Sequence, residues 1–588
     1  MRKLIITLLM AAPLAVSAQS LHKDINVEQE TSPLRREASR ITILPEVQLP
    51  ALAKSRLAYS DRVVSAPVPN VISTLEPAAW ADPEAAPDTR GYVAGGIFPI
   101  FNAAVSAGYR FVDSDRTRLS AWAQYDASAY HRGEYAQTSG GTPFYGKPMW
   151  RDHTASVGLD LHQAIGRKSV IDAGIDYTYG YHNMWQIPGS YLSRNTTSKV
   201  NFDAAFSSSV QGLDYSAHAK VQHFGFGGLK YTDIQYYPSS PYEGVTDPVG
   251  QNLFGIGGSG LIEVGSTSWF GLDLDLDLLH SSAHNGAVVP FDLGSAHPLD
   301  GNTSGIFSVN PRFINRTSKT SVTIGATLDV AINSGKALNV SPDVTLAWTP
   351  TQNFGIEATA KGGMELNTLA SLYTGVSPYM NPFMAYKSSR VPYDLRGRMT
   401  FGPFHNVSLE VFGGYAKADG WLMPVCNGIE AGGAVFESMD IKGYHFGASA
   451  AYDNGRNFSA KVKWTMAPSE QYRAYYLWRD RARHVVDADI TVRPLKKLTV
   501  NAGFEFRAGR AVYEYGRYPE LTDGLYLYPV SRHSLSPVAD LRLGAAWRQT
   551  DRLTFFVNGE NLLSRTWQYI GNRPAQGITA LIGAGYKF

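Results

Sequence analysis

Asp273, Asp275 and Asp277 are three carboxylates at every second position, with Leu272, Leu274, Leu276 and Leu278 around them. A carboxylate cluster of this kind could bind calcium or work as an acid–base pair. The alternating leucines make the stretch a strand, and residues two apart on one face of a strand are about 6.6–7 Å apart. That period also suits a polar wall whose aspartates pair with basic neighbours. Other candidate chemistry is weaker. His153, His162, His218 and His223 have no metal-ligand spacing. Gly255-Ile256-Gly257-Gly258-Ser259-Gly260 is glycine-rich but opens no helix, so it is not a phosphate loop; glycine there would let a strand bend. Cys426 is the one cysteine, which excludes an internal disulfide, and it falls in a predicted loop. No catalytic residue, metal or cofactor is expected, and the chain does not read as an enzyme.

A second set of charges lies in the C-terminal quarter. Lys461 and Lys463 alternate with Phe458, Ala460, Val462, Trp464 and Met466. Asp487, Asp489 and Arg493 share one side of the following strand. Glu505 and Arg507 then oppose Val500, Ala502, Phe504 and Phe506, and Arg542 sits on the polar side of a further strand. In a soluble sandwich each polar face must be the wet one. A wide barrel can hold both signs on its lumen side, paired across strands or against water. These cations could take up the glutamates of an N-terminal segment or line a path for anions; the sequence leaves both open.

The elements that carry these residues follow from the same period of two. The chain has 588 residues, net charge +2, 56 glycines and 12% aromatics, with a mean hydropathy of −0.18. The charge gives no polyanion signal, so no nucleic acid is expected. Residues 1–18 read as a signal peptide: Arg2 and Lys3, an apolar run from Leu4 to Ala15, then Val16-Ser17-Ala18. Residues 19–88 do not alternate, and prolines recur at Pro33, Pro45, Pro50, Pro67, Pro69, Pro77, Pro83 and Pro87. An extended periplasmic or lumen-threaded segment is expected there. From residue 89 to 588 the alternation gives about 22 strands. They include 152–163, 170–181, 197–209, 268–281, 472–493, 497–513, 533–549, 552–564 and 575–588. Short turns and long loops alternate, except near 99–100, 332–336 and 468–471, where a short link replaces a long one. The fold class is all-β: a transmembrane antiparallel barrel with no folded plug. An even strand count puts both termini on the periplasmic side of the cell outer membrane.

Three predicted loops are rich in aromatics: Tyr236 and Tyr237; Tyr373, Tyr379 and Phe383; Tyr515, Tyr518 and Tyr526. They could pack together as a lid, or present a docking surface for a partner or glycan, since tyrosine buries much area with few rotors.

The last strand alternates from Ile578 to Tyr586 and Phe588. The strand before it runs Phe555-Phe556-Val557-Asn558-Gly559-Glu560-Asn561-Leu562-Leu563. This ending and the strand count resemble the barrel of TonB-dependent outer-membrane receptors, including those of Bacteroidetes. The resemblance covers residues 89–588 and implies a transporter or channel-like protein. It also implies that Tyr586 and Phe588 form a C-terminal signal read by the outer-membrane barrel insertion machinery. Lys23-Asp24-Ile25-Asn26-Val27 is similar to the family's TonB-contacting box, but segment 19–88 is too short and irregular for its plug. A plugless barrel could equally be a subunit of an outer-membrane complex, or a non-transporting scaffold in protein assembly or surface lipoprotein export. Expected partners are outer-membrane lipid and lipopolysaccharide, with outer-membrane or surface lipoproteins.

Overall fold

The alternating segments join into one antiparallel sheet that closes on itself. The computed structural model describes residues 89–588 except 99–101, 132–134, 140–141, 147–148, 187–190, 228–229, 234–241, 246–247, 284–300, 376–385, 427–429, 432–433, 477–481, 516–519, 523–524, 528–529 and 569–573. The expected signal peptide and segment 19–88 lie outside the described residues.

Twenty-two staves form the wall. The first eight are β1 (Gly91–Phe98), β2 (Asn102–Asp113), β3 (Thr117–His131), β4 (Met149–Ile165), β5 (Ser169–Gln186), β6 (Tyr191–Val210), β7 (Leu213–Phe226) and β8 (Val249–Gly265). Next come β9 (Ser268–Ala283), β10 (Thr303–Arg316), β11 (Thr320–Ile332), β12 (Leu338–Thr351), β13 (Phe354–Glu365), β14 (Ser389–Phe404) and β15 (Val407–Cys426). The wall ends with β16 (Ala434–Asp453), β17 (Phe458–Met466), β18 (His484–Leu495), β19 (Leu498–Ala508), β20 (Val538–Arg548), β21 (Leu553–Glu560) and β22 (Thr579–Lys587). Each stave pairs antiparallel with the next. β1 pairs with β22 from Tyr92↔Lys587 to Ile97↔Ile582, so no edge is left unpaired.

The two faces differ as a lipid-embedded barrel requires. Ile256 on β8 is 63% exposed and Leu274 on β9 is 42% exposed, whereas Asp275 is 9% exposed. Val411, Val462, Phe555 and Ile582 continue the exposed apolar band around the wall. Among the described residues no helix is long and apolar enough to cross a membrane.

The two ends differ as well. Links such as 166–168, 211–212, 266–267 and 405–406 are tight turns at the end where the wall begins and finishes. At the opposite end the links include 227–248, 366–388, 467–483 and 509–537. These ends are called the turn end and the loop end below. Links 99–101 and 333–337 are short although they lie at the loop end.

Several expected boundaries need correction. The strand expected at 472–493 is a helix, Glu470–Tyr476, followed after 477–481 by β18 from His484. The short link expected at 468–471 is therefore a long one. The strand expected at 497–513 stops at Ala508, because Gly509 takes φ +67° and redirects the chain. Arg510–Tyr515 then pairs with Val530–Leu535 as a separate hairpin, so the strand expected at 533–549 is divided before Val538. In the other direction, β4, β5 and β6 are longer than the segments expected at 152–163, 170–181 and 197–209.

The chain end closes the wall at the turn end. The Arg90 and Gly91 amides donate to the Phe588 carbonyl at 2.7 and 2.9 Å, and the Phe588 amide donates to Gly91 at 2.9 Å. The Phe588 ring stacks on Tyr109 at 6.1 Å between centroids and on Tyr586 at 6.4 Å. Phe588→Ala should weaken this seam by about 1 kcal/mol and lower the fraction of folded barrel, read as heat-modifiable mobility on a gel; an unchanged fraction would deny the ring that role.

Candidate functional site

Each aspartate of the ladder meets a different basic residue. Asp273 takes Arg312 of β10 through two bonds, one of them 3.0 Å. Asp275 lies 3.1 Å from Nε2 of His218, and Asp277 lies 2.9 Å from Nζ of Lys220. His218 and Lys220 belong to β7, whereas Asp275 and Asp277 belong to β9, with β8 between. The residues of β8 at those two levels are Gly257 and Gly255. A Cβ at Gly255 would sit 2.5 Å from the Asp277 carboxylate, and one at Gly257 would collide with Asp275. These two glycines leave room for side-chain contacts to cross over a strand; the sequence had suggested bending instead. At the next level β8 carries Ser259, whose hydroxyl meets that of Ser216 at 2.7 Å. Among the described residues no group of three or more His, Cys, Asp or Glu could hold a metal ion.

The C-terminal charges bring both signs together. Register places Lys461 opposite Asp489 and Lys463 opposite Asp487. Asp487 is opposite Glu505, which is opposite Asp540. Asp489 and Arg542 flank Gly503 from either side, and Arg493 lies nearer the turn end on the face of Asp489. Glu505 and Arg507 form a buried pair, 4% and 1% exposed. Nζ of Lys463 lies 4.7 Å from the centre of the Phe412 ring. Three carboxylates, Asp487, Glu505 and Asp540, are thus neighbours among the cations, so these residues make no purely basic track.

The densest packing is at the loop end, where two links turn back into the barrel. The first carries helix α1 (Leu369–Gly375) and the second helix α2 (Glu470–Tyr476). Both are capped from their own sequence. The Thr368 hydroxyl accepts the Ser371 amide at 3.0 Å, and the Ser469 hydroxyl accepts the Tyr472 amide at 3.4 Å. Leu369 and Leu372 of α1 are 1% exposed, packed with Phe224 and Phe226 of β7, Val249 of β8, Leu422 of β15 and Phe436 of β16. Staves so far apart around the wall can meet one helix only in the interior. Gln251 of β8 accepts the Leu369 amide at 2.6 Å. Tyr373 meets Nε2 of His182, whose Nδ1 lies 2.9 Å from Asp152. Burial pushes the Tyr373 hydroxyl well above its ordinary pKa, so it stays protonated.

Helix α2 is seated in a similar way. Tyr472 and Tyr475 pack with Val391, Ala416, Trp421, Ile441 and Val485. Tyr472 stacks on His445 at 5.9 Å and shares a 2.8 Å hydrogen bond with it. Tyr475 donates to Asp394 at 2.7 Å, and Asp394 also holds Arg396. Burial, reinforced by Asp394, keeps the Tyr475 hydroxyl protonated. Each helix seats a tyrosine against a wall glycine. A Cβ at Gly180 would lie 2.5 Å from the Tyr373 hydroxyl, and one at Gly443 would lie 2.5 Å from the Tyr472 Cβ.

Of the aromatic loop residues, Tyr373 is part of this interior packing. Tyr236, Tyr237, Tyr379, Phe383 and Tyr518 lie outside the described residues. Tyr515 and Tyr526 fall on strands whose backbone alone is described. Sequence reading missed both helices. Their signals were Thr368 and Ser469, hydroxyl residues placed one position before each helix.

No family model matches this sequence, and no curated protein matches it. Solved structures do match in fold. The FrpB iron transporter from Neisseria meningitidis (F3-3 variant) aligns with a TM-score of 0.61 at 11% identity, over 86% of this chain and 82% of that one. A variant of the ferric enterobactin receptor PfeA from Pseudomonas aeruginosa, solved with enterobactin, gives 0.59 at 11% identity over 86% and 82%. The outer membrane transporter YddB from Escherichia coli gives 0.57 at 11% over 85% and 80%. At such identity the likeness establishes the fold alone: a 22-strand antiparallel barrel like those of these three proteins.

Two outcomes follow from the seating of α2. Gly443→Val should displace the helix while the barrel stays folded. Hydrogen exchange of the amides of 470–476 would then speed up, and protection equal to wild type would refute the seat. The second outcome concerns acid. Burial works against the Glu470 carboxylate, but hydrogen bonds from Arg532 and Tyr513 and the charges of Arg532 and Arg473 outweigh it, so its pKa is lowered. A lowered carboxylate pKa stabilises above the unfolded value, about 4.3, and that stabilisation is lost as pH falls through the folded value. Arg532 is half exposed, so the tie is worth about 1 kcal/mol or less. Acidification below about pH 4 should loosen the contact between α2 and the hairpin that carries Arg532, and Glu470→Gln should loosen it already at neutral pH, both read by limited proteolysis.

Proposed function

We propose that this chain is exported by its signal peptide and folds at residues 89–588 as an outer-membrane barrel. Its turn end and both termini face the periplasm. It serves as the barrel subunit of an envelope complex, neither an enzyme nor an open pore. The observation that carries this reading is the pair of infolded helices. α1 and α2 occupy the interior at the loop end and are held by buried leucines, tyrosines and hydrogen bonds, one of them to the Asp394 carboxylate. A solute crossing there would have to unseat them. Leu369 and Leu372 alone contribute about 2 kcal/mol each, and the Tyr475–Asp394 bond adds about 2 kcal/mol. Outer-membrane or surface lipoproteins are the partners of this reading, lipid and lipopolysaccharide surround the wall, and the barrel insertion machinery assembles it from its Tyr586–Phe588 ending.

A second reading, transport, is favoured by the fold shared with the transporters FrpB and YddB and the receptor PfeA. In it the aspartate ladder and the interleaved lysines and arginines line a route that opens when α1 or α2 moves. The test is a mild-detergent purification of the full chain from its native membrane, followed by planar-bilayer recording. We expect partner proteins at fixed stoichiometry and no steady open-pore current. A barrel recovered alone with a steady current would overturn the subunit reading and establish transport.

A further inference from the structure

We propose that residues 63–88, the stretch that leads into the barrel, dock on a basic arc along the rim of the turn end and not in the lumen. The proposal holds under either functional reading, since it concerns the rim alone. Residues 63–88 carry Glu76, Asp82, Glu84 and Asp88 and no Lys, Arg or His. They lie outside the described residues, but the chain emerges from them at Thr89, beside the seam where Arg90 and Gly91 meet Phe588. The turns on both sides of that seam are basic. Lys496 and Lys497 link β18 to β19, and Arg552 belongs to the turn between β20 and β21. On the other side, Arg116 belongs to the turn between β2 and β3, and Arg167 and Lys168 to the turn between β4 and β5. All six cations are exposed, and none forms an ion pair among the described residues. Asp115 and Asp551 are the carboxylates of the same turns. Farther along the rim the surplus stops: the turns 405–406, 211–212 and 266–267 carry no Lys or Arg.

The lumen offers no such surplus. Lys461 and Lys463 each face an aspartate across one register step, so an acidic segment threaded there would meet Asp487 and Asp489 as well. The rim is also within reach. Lys497, before β19, and Lys168, before β5, are each four staves from β1. At about 4.8 Å per stave that is about 20 Å. The chain from Arg90 back to Glu84 spans about the same distance when extended. Exposed ion pairs are individually weak. Attachment to β1 compensates, because it holds the acids near the arc at an effective concentration on the order of millimolar.

The test is zero-length carbodiimide cross-linking of the full chain, purified from its native membrane in mild detergent, with the joined peptides identified by mass spectrometry. The reagent joins a carboxylate to an amine only when the two touch. We expect Glu76, Asp82, Glu84 or Asp88 joined to Lys168, Lys496 or Lys497. These links should disappear in about 1 M salt, where charges are screened within about 3 Å. R116Q/R167Q/R552Q alters no reacting group and should reduce the links about fivefold, as expected for three exposed pairs. Heat-modifiable mobility checks that this variant is folded. Links from the acids to Lys461 or Lys463 would overturn the proposal in favour of a segment threaded into the lumen. Links from the rim lysines to a co-purified protein, with none to residues 63–88, would overturn it in favour of an acidic partner. The absence of any link, or links unchanged in salt and in the folded variant, would overturn it as well.

Discussion

Everything in this molecule depends on backbone amides and carbonyls having no water to bond with inside a hydrocarbon layer. An unpaired group there costs several kcal/mol, on the order of the cost of burying a bare amide. A sheet meets this demand only by closing, and the closure from Tyr92↔Lys587 to Ile97↔Ile582 removes the last edge. Closure divides every stave into two faces, which gives Asp275 and Leu274 opposite environments one residue apart. The outside must be apolar around the whole circumference. The inside is then free to be polar, and its charges must be matched locally.

That local matching explains features that composition does not. Contacts between acidic and basic side chains on the wall reach over an intervening strand where that strand is glycine, as at Gly255 and Gly257, and elsewhere set opposite signs across one register step, as Lys461 with Asp489 and Lys463 with Asp487. Glycine works the same way at the loop end, where Gly180 and Gly443 receive tyrosines from the two infolded helices. Removing side chains from the wall makes contact possible across a space the strands themselves cannot close.

The wall was legible in the sequence because its determinant is local. A period of two needs only neighbouring residues, so β9 is visible in four leucines and three aspartates. Partners were less legible. That Asp275 would take His218 and Asp277 would take Lys220 depends on the register of β7 against β8, which no single strand contains. The helices were misread because Tyr472 to Tyr476 is short and aromatic, a composition that favours a strand by propensity. The Ser469 cap and the interior packing of Tyr472 and Tyr475 outweigh that preference. Splitting of the segment at Gly509 was hidden for a similar reason, since a glycine within an alternating run marks either a bulge or a break.

The way α1 and α2 are held also bears on what the barrel can do. A gate that opens often needs contacts that can be remade at little cost, whereas these contacts are fully desolvated. Withdrawing Tyr475 would leave Asp394, 2% exposed, without one of its donors, and withdrawing α1 would bare Phe224 and Phe226, each 2% exposed. Such losses are not recovered from water near a polar wall, because the aromatic surface stays unmatched. Opening at the loop end would require a partner or ligand to supply compensating contacts, binding the opened form more tightly by the amount the helices lose.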